Sequence, residues 1–282
     1  MKTIKPQLTL ALVTFTLPNL VHANLFADTP LQHAYQALAT NQPQLAWQEL
    51  NLALNQHTIS SQHWQPIKRE ILSQTACGTA LPLEVKLDTK LRLSVIKRSG
   101  LTSQGYQVRL STEASPVKEE ILLTSPDGVV LLEGSLAASR QYQELESAEL
   151  LHKPASGLFM LSVGDKQVTL LLSMNLLSMD SHTSWLTQSQ QTNRAQVSLD
   201  LPAHIAGCPV AAASWQWFDK NYNMLGSKVP FQYAQENRPT ALPIASKASY
   251  LSASVELIEF QQGIRIEYVQ RLAIPYQLNG DI

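Results

Sequence analysis

The spacing of apolar residues divides the chain into a helical segment and a longer strand-rich part. Between residues 28 and 77 apolar side chains recur every three or four positions, as in a helix that buries one face. Helix starts are marked by Asp28-Thr29-Pro30, Asn41-Gln42-Pro43 and Ser60-Ser61, because proline is tolerated in a first turn and serine caps a helix. The pattern therefore predicts three short helices.

After Gly78 the apolar period changes to two, which predicts β-strands. The alternating segments are separated by turn sequences at residues 125–128, 164–166, 219–221 and 261–263. A polar stretch from Ser178 to Asn193 marks a boundary. We therefore expect an α+β chain whose small N-terminal helical bundle (24–78) is followed by two antiparallel β-sandwich regions, 79–180 and 181–282.

The first two helices resemble one tetratricopeptide repeat, since small and large residues fall at matching positions. The matching residues are Ala34, Ala46, Leu50 and Ala53. The chain departs from the repeat pattern at Pro30, Ala37 and Thr58, where a large residue, an aromatic and a proline are expected. A generic antiparallel helix pair packed on its neighbour accounts for the same residues, because one repeat alone cannot bury its face.

A ten-residue run in the first β region resembles a strand start of immunoglobulin-like sandwiches. Residues 154–163 fit the pattern Pro-x-x-Gly-x-aromatic-x-aliphatic-x-Val. The resemblance implies an Ig-like form for both sandwich regions.

The first 23 residues have the features of a cleaved secretory signal. Lys2 and Lys5 precede an apolar run, and Val21-His22-Ala23 supplies the small residues that a signal peptidase requires. The run is too short to span a bilayer. We expect cleavage after Ala23 and a periplasmic or secreted mature protein. The chain is similar to uncharacterised periplasmic proteins of Gram-negative bacteria, some of which accompany envelope signalling or surface systems, and this similarity implies a location but no site residues.

Composition narrows the classes of partner. The 282 residues are 44% hydrophobic and 15% charged with a formal net charge of −1, so the chain can bury a core and offers no broad attraction to nucleic acid. No later segment is apolar enough to predict a transmembrane anchor. We expect the partner to be another envelope protein or a glycan, with no nucleic acid.

The two cysteines, Cys77 and Cys208, predict a disulfide if the protein is exported. The alternative is a pair of separate buried thiols. A bond between them would join the end of the helical segment to the final third of the chain.

No motif assembles a catalytic, cofactor or metal site. Ser94-Val95-Ile96-Lys97 fits the Ser-x-x-Lys pattern of penicillin-interacting enzymes, but on a strand these two side chains point to opposite faces. The histidines lack metal-ligand spacing. The acidic groups Glu119-Glu120 and Glu144-x-Glu146 could serve glycoside cleavage, although solvated strand faces explain them as well.

The remaining candidates are aromatic residues on one hairpin. Trp215, Trp217, Phe218 and Tyr222 could stack on a sugar or anchor a partner. Trp215 and Trp217 share a face and equally fit a sandwich core, which leaves Phe218 and Tyr222 as the better surface candidates.

The leading hypothesis from the sequence is a non-catalytic periplasmic binding or adaptor protein, accessory to an envelope system. One alternative is a carbohydrate-binding protein or weak glycan hydrolase that uses the aromatic hairpin. Another is a periplasmic chaperone or assembly factor that lends a strand to a client.

Overall fold

Three helices open the described part of the chain, as predicted. The computed structural model of the chain describes residues 29–100, 104–177, 184–191, 194–231 and 247–275. The helices are α1 (Gln32–Ala39), α2 (Pro43–Gln56) and α3 (Ser61–Gln74). Asn41, with φ of +57°, ends the first helix, a left-handed position that asparagine tolerates. The helices bury Trp47, Leu50 and Trp64 between them.

The rest of the described chain is mostly β-strand. The strands are β1 (Arg92–Ser99), β2 (Gln104–Thr112), β3 (Glu119–Thr124), β4 (Val130–Leu136), β5 (Gln143–Glu146), β6 (Gly157–Val163), β7 (Lys166–Leu172), β8 (Leu186–Gln191), β9 (Arg194–Leu199), β10 (Ala212–Phe218), β11 (Met224–Pro230), β12 (Tyr250–Gln261) and β13 (Ile264–Pro275). The predicted turn that joins β12 to β13 has positive φ at both Gln262 and Gly263, as a two-residue hairpin of type I′ requires.

The strands form one large sheet and two smaller ones. The seven-stranded sheet has the order β11-β10-β12-β13-β1-β2-β5, the four-stranded sheet β4-β3-β6-β7, and β8 pairs with β9 alone. Every pairing is antiparallel except that between β1 and β13, which is parallel.

The large sheet joins strands from both sides of the boundary predicted between residues 180 and 181. β1, β2 and β5 come from the first predicted region, whereas β10 to β13 come from the second. The two regions therefore do not form separate sheets, because alternation identifies strands but does not specify which distant strand each one pairs with. The fold is mixed α+β with a β-rich body, and it does not establish the finer immunoglobulin-like and tetratricopeptide assignments.

One hydrophobic core lies between the two larger sheets. Inward side chains of both sheets belong to the same cluster, with Phe159, Trp215 and Tyr268 among its largest members. Each such residue removes a large apolar area from water, worth about 1.5–3 kcal/mol for a fully buried side chain. The helices have a second cluster, which Leu171 of β7 joins from the sheet side.

The end of α3 is fastened to β12. The backbone N–H of Phe260 donates to the Cys77 carbonyl at 2.9 Å. At Gly78, with φ of +91°, an added Cβ would lie 1.9 Å from the Phe260 carbonyl oxygen, so this contact requires glycine. The predicted disulfide is present and joins Cys77 to Cys208.

A candidate binding cleft beside helix α3

A cleft of about 840 Å³ lies between α3, β12 and the loop of residues 202–208. Helix α3 supplies one wall with side chains three or four positions apart, which lie on the same helical face. The helical residues of this wall include Gln62, Gln65, Pro66, Arg69, Leu72 and Ser73. The cleft therefore follows one continuous side of the helix.

The opposite wall is mainly apolar. Leu257 and Ile258 of β12 contribute to it, together with Leu176 from the short segment after β7. Pro202 and Ile205 extend the apolar surface along the loop. A ligand in the cleft would thus contact aliphatic side chains on the sheet side.

The loop of residues 202–208 is held in place by contacts with α3. Its last residue, Cys208, is bonded to Cys77 just beyond the helix. The His204 ring nitrogen Nε2 lies 3.0 Å from the Cys208 carbonyl oxygen. At Gly207, with φ of +76°, an added Cβ would lie 3.0 Å from the Ser73 carbonyl oxygen. The disulfide therefore positions a wall of the cleft.

A buried ion pair lies at the floor of the cleft. Lys68 Nζ is 2.7 Å from Glu259 Oε1, and the two side chains are only 3% and 6% exposed. Lys68 also donates to the Leu171 carbonyl oxygen at 2.7 Å and to Ser173 Oγ at 3.1 Å. These contacts connect α3 to β7 and to β12.

Two further side chains complete the network around Glu259. The Tyr268 hydroxyl donates to Glu259 Oε1 at 3.0 Å, and Gln261 Nε2 donates to the same oxygen at 2.8 Å. Gln261 also exchanges two hydrogen bonds with the backbone of Leu171, at 2.8 and 2.9 Å. The network thus bonds an inward-facing segment of β12 to the edge of the four-stranded sheet.

Burial shifts the pKa of both titratable donors in this network. Desolvation lowers the pKa of Lys68 below its ordinary value, and the nearby Glu259 carboxylate opposes that shift. Burial raises the pKa of Tyr268 well above 10, with a further contribution from the Glu259 charge. Lys68 has one acceptor for each of its three protons, so this arrangement holds the wall in place and leaves no proton of the amine free for chemistry.

Two polar groups of α3 beside the cleft lack a hydrogen-bond partner that they would ordinarily have. Pro66 has no N–H, so the Gln62 carbonyl lacks the intrahelical donor that it would otherwise have. The amide nitrogen Nε2 of Gln65 is buried and has no hydrogen-bond partner among the described residues. The cleft therefore combines apolar walls with a helical carbonyl that lacks its usual donor, next to a buried amide group.

The candidate aromatic residues lie elsewhere and are divided between core and surface. Trp215 and Trp217 are fully buried and belong to the core, so neither contributes to a binding surface. Phe218 is half-buried. Tyr222 is 52% exposed and stacks on Tyr250, with ring centroids 4.7 Å apart.

The other chemical candidates are not brought together. Ser94 donates to Glu267 on the outer face of the large sheet, while Lys97 is buried on its inner face. Glu119 accepts from Thr89 at 2.7 Å, whereas Glu120 lies on the surface beside a lysine. Within the described ranges, no group of three or more His, Cys, Asp or Glu side chains could hold a metal ion.

The sequence contains a signal for the buried network that no motif shows. Lys68 falls four positions after Trp64 and three before Ile71, on the apolar face of α3. Glu259 and Gln261 continue the inward alternation of β12 after Leu257. Polar residues at three core-facing positions indicate a buried polar contact, although the sequence does not show that they meet.

The predicted signal segment, including the cleavage site after Ala23, lies outside the described residues. Among the helices that are described, none has the length and apolar character needed to cross a membrane. A family model described as protein of unknown function (DUF2861) matches residues 25–277. No curated protein matches the chain.

Proposed function

The chain belongs to that family of proteins of unknown function, and we propose that it is a non-catalytic binding or adaptor protein of the periplasm. In this proposal the cleft beside α3 receives a segment of another envelope protein. The observation that carries the proposal is the cleft itself. Its volume of about 840 Å³, its apolar walls and its few polar groups are typical of ligand-binding sites.

The buried floor supports binding rather than catalysis. Lys68 and Glu259 are bonded to each other and to surrounding groups, and these bonds fix the geometry of the walls. A general base or nucleophile needs an accessible group with a pKa suited to proton transfer. Here the titratable groups act as supports for a preformed cavity, which lowers the entropic cost of binding.

A peptide segment suits the lining of the cleft. The aliphatic wall at Leu257 and Ile258 can pack against apolar side chains, and the Gln62 carbonyl can accept from a peptide N–H. At the rim, Arg69 and Glu70 are exposed and offer both signs of charge. A helical hairpin similar to a tetratricopeptide repeat would add an interaction scaffold next to this wall.

Two observations support a periplasmic location. The Cys77–Cys208 bond is stable in an oxidising compartment and is rare in the cytosol. The family match begins at residue 25, next to the mature N-terminus proposed at Asn24. A mature protein beginning at Asn24, recovered from the periplasm of its host, would agree with this location.

The decisive experiment places a photo-crosslinking amino acid in the cleft of the exported protein. Ala206 is exposed and lines the cleft, whereas Ala138 is an exposed alanine outside it and provides the matched control. We expect the p-benzoylphenylalanine derivative at position 206 to give a discrete protein adduct that the control does not give. Ala203→Trp, which fills the cleft from its wall, should reduce that adduct at least tenfold.

Equal adducts from both positions, or an adduct that Ala203→Trp leaves unchanged, would exclude the cleft as the partner site. Peptide mapping of the adduct then identifies the segment that binds. Protection of position 206 from crosslinking by a protein-free glycan preparation would instead show that the cleft binds a sugar and not a peptide segment.

Recognition of a glycan is the second candidate, and it is favoured by one observation. Tyr222 presents an exposed ring that is already supported by Tyr250, and such platforms stack on sugar rings. Tyr222→Phe should retain glycan-array binding, and Tyr222→Ala should remove it. Identical binding by both variants would rule out this platform, and with it a weak glycan hydrolase that depends on it.

The strand-lending assembly role receives less support. The described edge strand β11 carries Lys228 and Pro230, and both residue types disfavour the addition of another strand. Strand β11 therefore does not favour the strand-lending role.

A further inference from the structure

A second, smaller cavity lies on the outer face of the seven-stranded sheet. It measures about 170 Å³ and shares no lining residue with the cleft beside α3. The charged side chains that line it are Arg92, Arg109, Lys228, Glu256, Arg265, Glu267 and Arg271. Five cations therefore face two carboxylates in this basin.

At one end of the basin the charges are paired. Arg92 Nε lies 3.2 Å from Glu267 Oε1, and Arg265 Nε lies 2.7 Å from the same oxygen. Arg265 also contacts Glu256 at 2.8 Å. Arg109 faces the neighbouring strand β5, where Glu146 accepts from it at 2.5 Å and the Glu144 carboxylate lies 3.6 Å away. Arg92, Arg109 and Arg265 therefore already have carboxylate partners within the protein.

At the other end the charges are not paired. In the register of the sheet, Arg271 of β13 has Arg98 of β1 on one side and Ser254 of β12 on the other. Lys228 reaches the same basin from β11. Among the described residues, none of the side chains of Arg98, Lys228 and Arg271 has a carboxylate or hydrogen-bond partner. Arg271 and Lys228 thus line this end of the basin without a salt bridge, and Arg98 lies beside Arg271 on the neighbouring strand.

The pKa shifts of Arg271 and Lys228 agree with an excess of positive charge at this end of the basin. Burial lowers the pKa of Arg271, and repulsion from Arg109 and Arg98 lowers it further. Burial also lowers the pKa of Lys228, and Arg271 adds to that shift. Opposing these shifts, Glu146 and Glu256 raise the pKa of Arg271, and Glu256 and Glu267 raise the pKa of Lys228, but both pKa values remain lowered. The unpaired end of the basin therefore has an excess of positive potential that a bound anion would relieve.

We propose that this end of the basin binds an oxyanion, the phosphate or carboxylate group of a small ligand, at Arg271 and Lys228, with Arg98 of the adjacent strand adding to the positive potential. A guanidinium group presents a fork of N–H donors that matches the oxygens of either group. The cavity is smaller than the sites that enclose whole drug-sized molecules, so it receives one charged group and not a large ligand. The site is independent of the proposed adaptor role.

The test is a titration of the mature full-length protein at low ionic strength. Inorganic phosphate and glucuronate serve as the two oxyanion probes, and chloride at equal ionic strength is the control. Binding is measured by calorimetry and by the thermal unfolding midpoint. Arg271→Gln and Lys228→Gln remove cations from the site, and Lys118→Gln removes an exposed cation from the other sheet.

We expect at least one of the two probes to raise the unfolding midpoint more than chloride does. Arg271→Gln and Lys228→Gln should each weaken its binding at least tenfold, whereas Lys118→Gln should leave it unchanged. A response to phosphate alone assigns the site to phosphoryl groups, and a response to glucuronate alone assigns it to acidic sugars.

Without any oxyanion, Arg271→Gln should unfold at the same temperature as the wild type or above it, because it removes an unpaired charge. A purely structural role for Arg271 would instead lower the midpoint. If Arg271→Gln does not fold, Lys228→Gln carries the test, because Lys228 belongs to the edge strand β11 and not to the centre of the sheet. The proposal is overturned if phosphate and glucuronate both act like chloride, or if the two basin variants bind them as tightly as the wild type.

Discussion

Replacement of Lys68 by methionine should cost much more stability than replacement of any surface lysine. The substitution keeps most of the aliphatic chain but removes the charge that neutralises Glu259. Both side chains are more than nine-tenths buried, so the remaining carboxylate cannot recover its hydration. Breaking a buried pair in this way costs about 3–5 kcal/mol. That is a large share of the roughly 5–15 kcal/mol by which natural domains are stable.

Two further variants separate charge from packing. Lys118→Met removes a 67% exposed lysine whose carboxylate partner lies 2.8 Å away, and it should cost far less stability than Lys68→Met because solvent screens an exposed pair. Lys68→Met combined with Glu259→Gln removes the unpaired charge but keeps an acceptor for Tyr268. The double variant should therefore be about 2 kcal/mol more stable than Lys68→Met alone.

Urea unfolding followed by tryptophan fluorescence and by far-ultraviolet circular dichroism gives these free energies, provided that the two transitions coincide. A cost below about 1 kcal/mol for Lys68→Met would refute the role assigned to the ion pair. A double variant that is destabilised by the full sum of its two single substitutions would refute the coupling.

Three other substitutions test separate features of the fold. Replacing Cys77 and Cys208 by serine should lower the free energy of unfolding by about 4–5 kcal/mol on the chain-entropy model, since the bond closes a separation of 131 residues. Equal urea midpoints for the two proteins would contradict this. Gly78→Ala should lower the free energy of unfolding several times as much as Gly128→Ala in the same denaturation assay. Both glycines have positive φ, but only at Gly78 would the added Cβ meet a β12 carbonyl. The raised pKa of Tyr268 means that the folded state keeps this phenol protonated while the unfolded chain ionises near pH 10, so its contribution to stability is lost as the pH rises through 10. Tyr268→Phe should therefore show a smaller fall in unfolding free energy between pH 9 and pH 11, and parallel curves for the two proteins would argue against a raised pKa.

Local features of this fold were predictable because they depend on neighbouring residues. The helices follow from the recurrence of residues such as Ala46, Leu50 and Ala53, and all three of these lie on the buried face of α2. The β12–β13 hairpin follows from the alternation along β12 and over Ile264, Ile266 and Tyr268 on the other side of Gly263. In each case the period of the apolar residues specifies the element.

The pairing of the strands was not predictable in the same way. β1 and β13 both read as half-buried strands, yet nothing in either segment identifies the other as its parallel neighbour. Parallel pairing joins segments far apart in the chain, and its specificity comes from the packing of the complete core. The division into two sandwiches was based on the polar stretch 178–193, whose described part includes strand β8, and the large sheet takes strands from both sides of it.

The candidate sites were predictable only in part. The disulfide followed from the cysteine count, and Tyr222 from its place beside a turn, because both depend on residue type and local position. The cleft arises where α3, β12 and residues 202–208 meet, and this meeting is a property of the tertiary structure. The same holds for the neighbouring positions of Arg98 and Arg271 on adjacent strands.

The parallel pairing of β1 with β13 also determines when the molecule can be completed. Until the polypeptide has been made as far as Pro275, β1 lacks one of its two neighbours and presents a row of unbonded backbone groups along that side. Contacts between such distant segments form slowly. The interval between synthesis of residues 92–99 and synthesis of residues 264–275 is therefore the period in which a newly made copy is most exposed to aggregation with its neighbours, and in which a holding chaperone would protect it best.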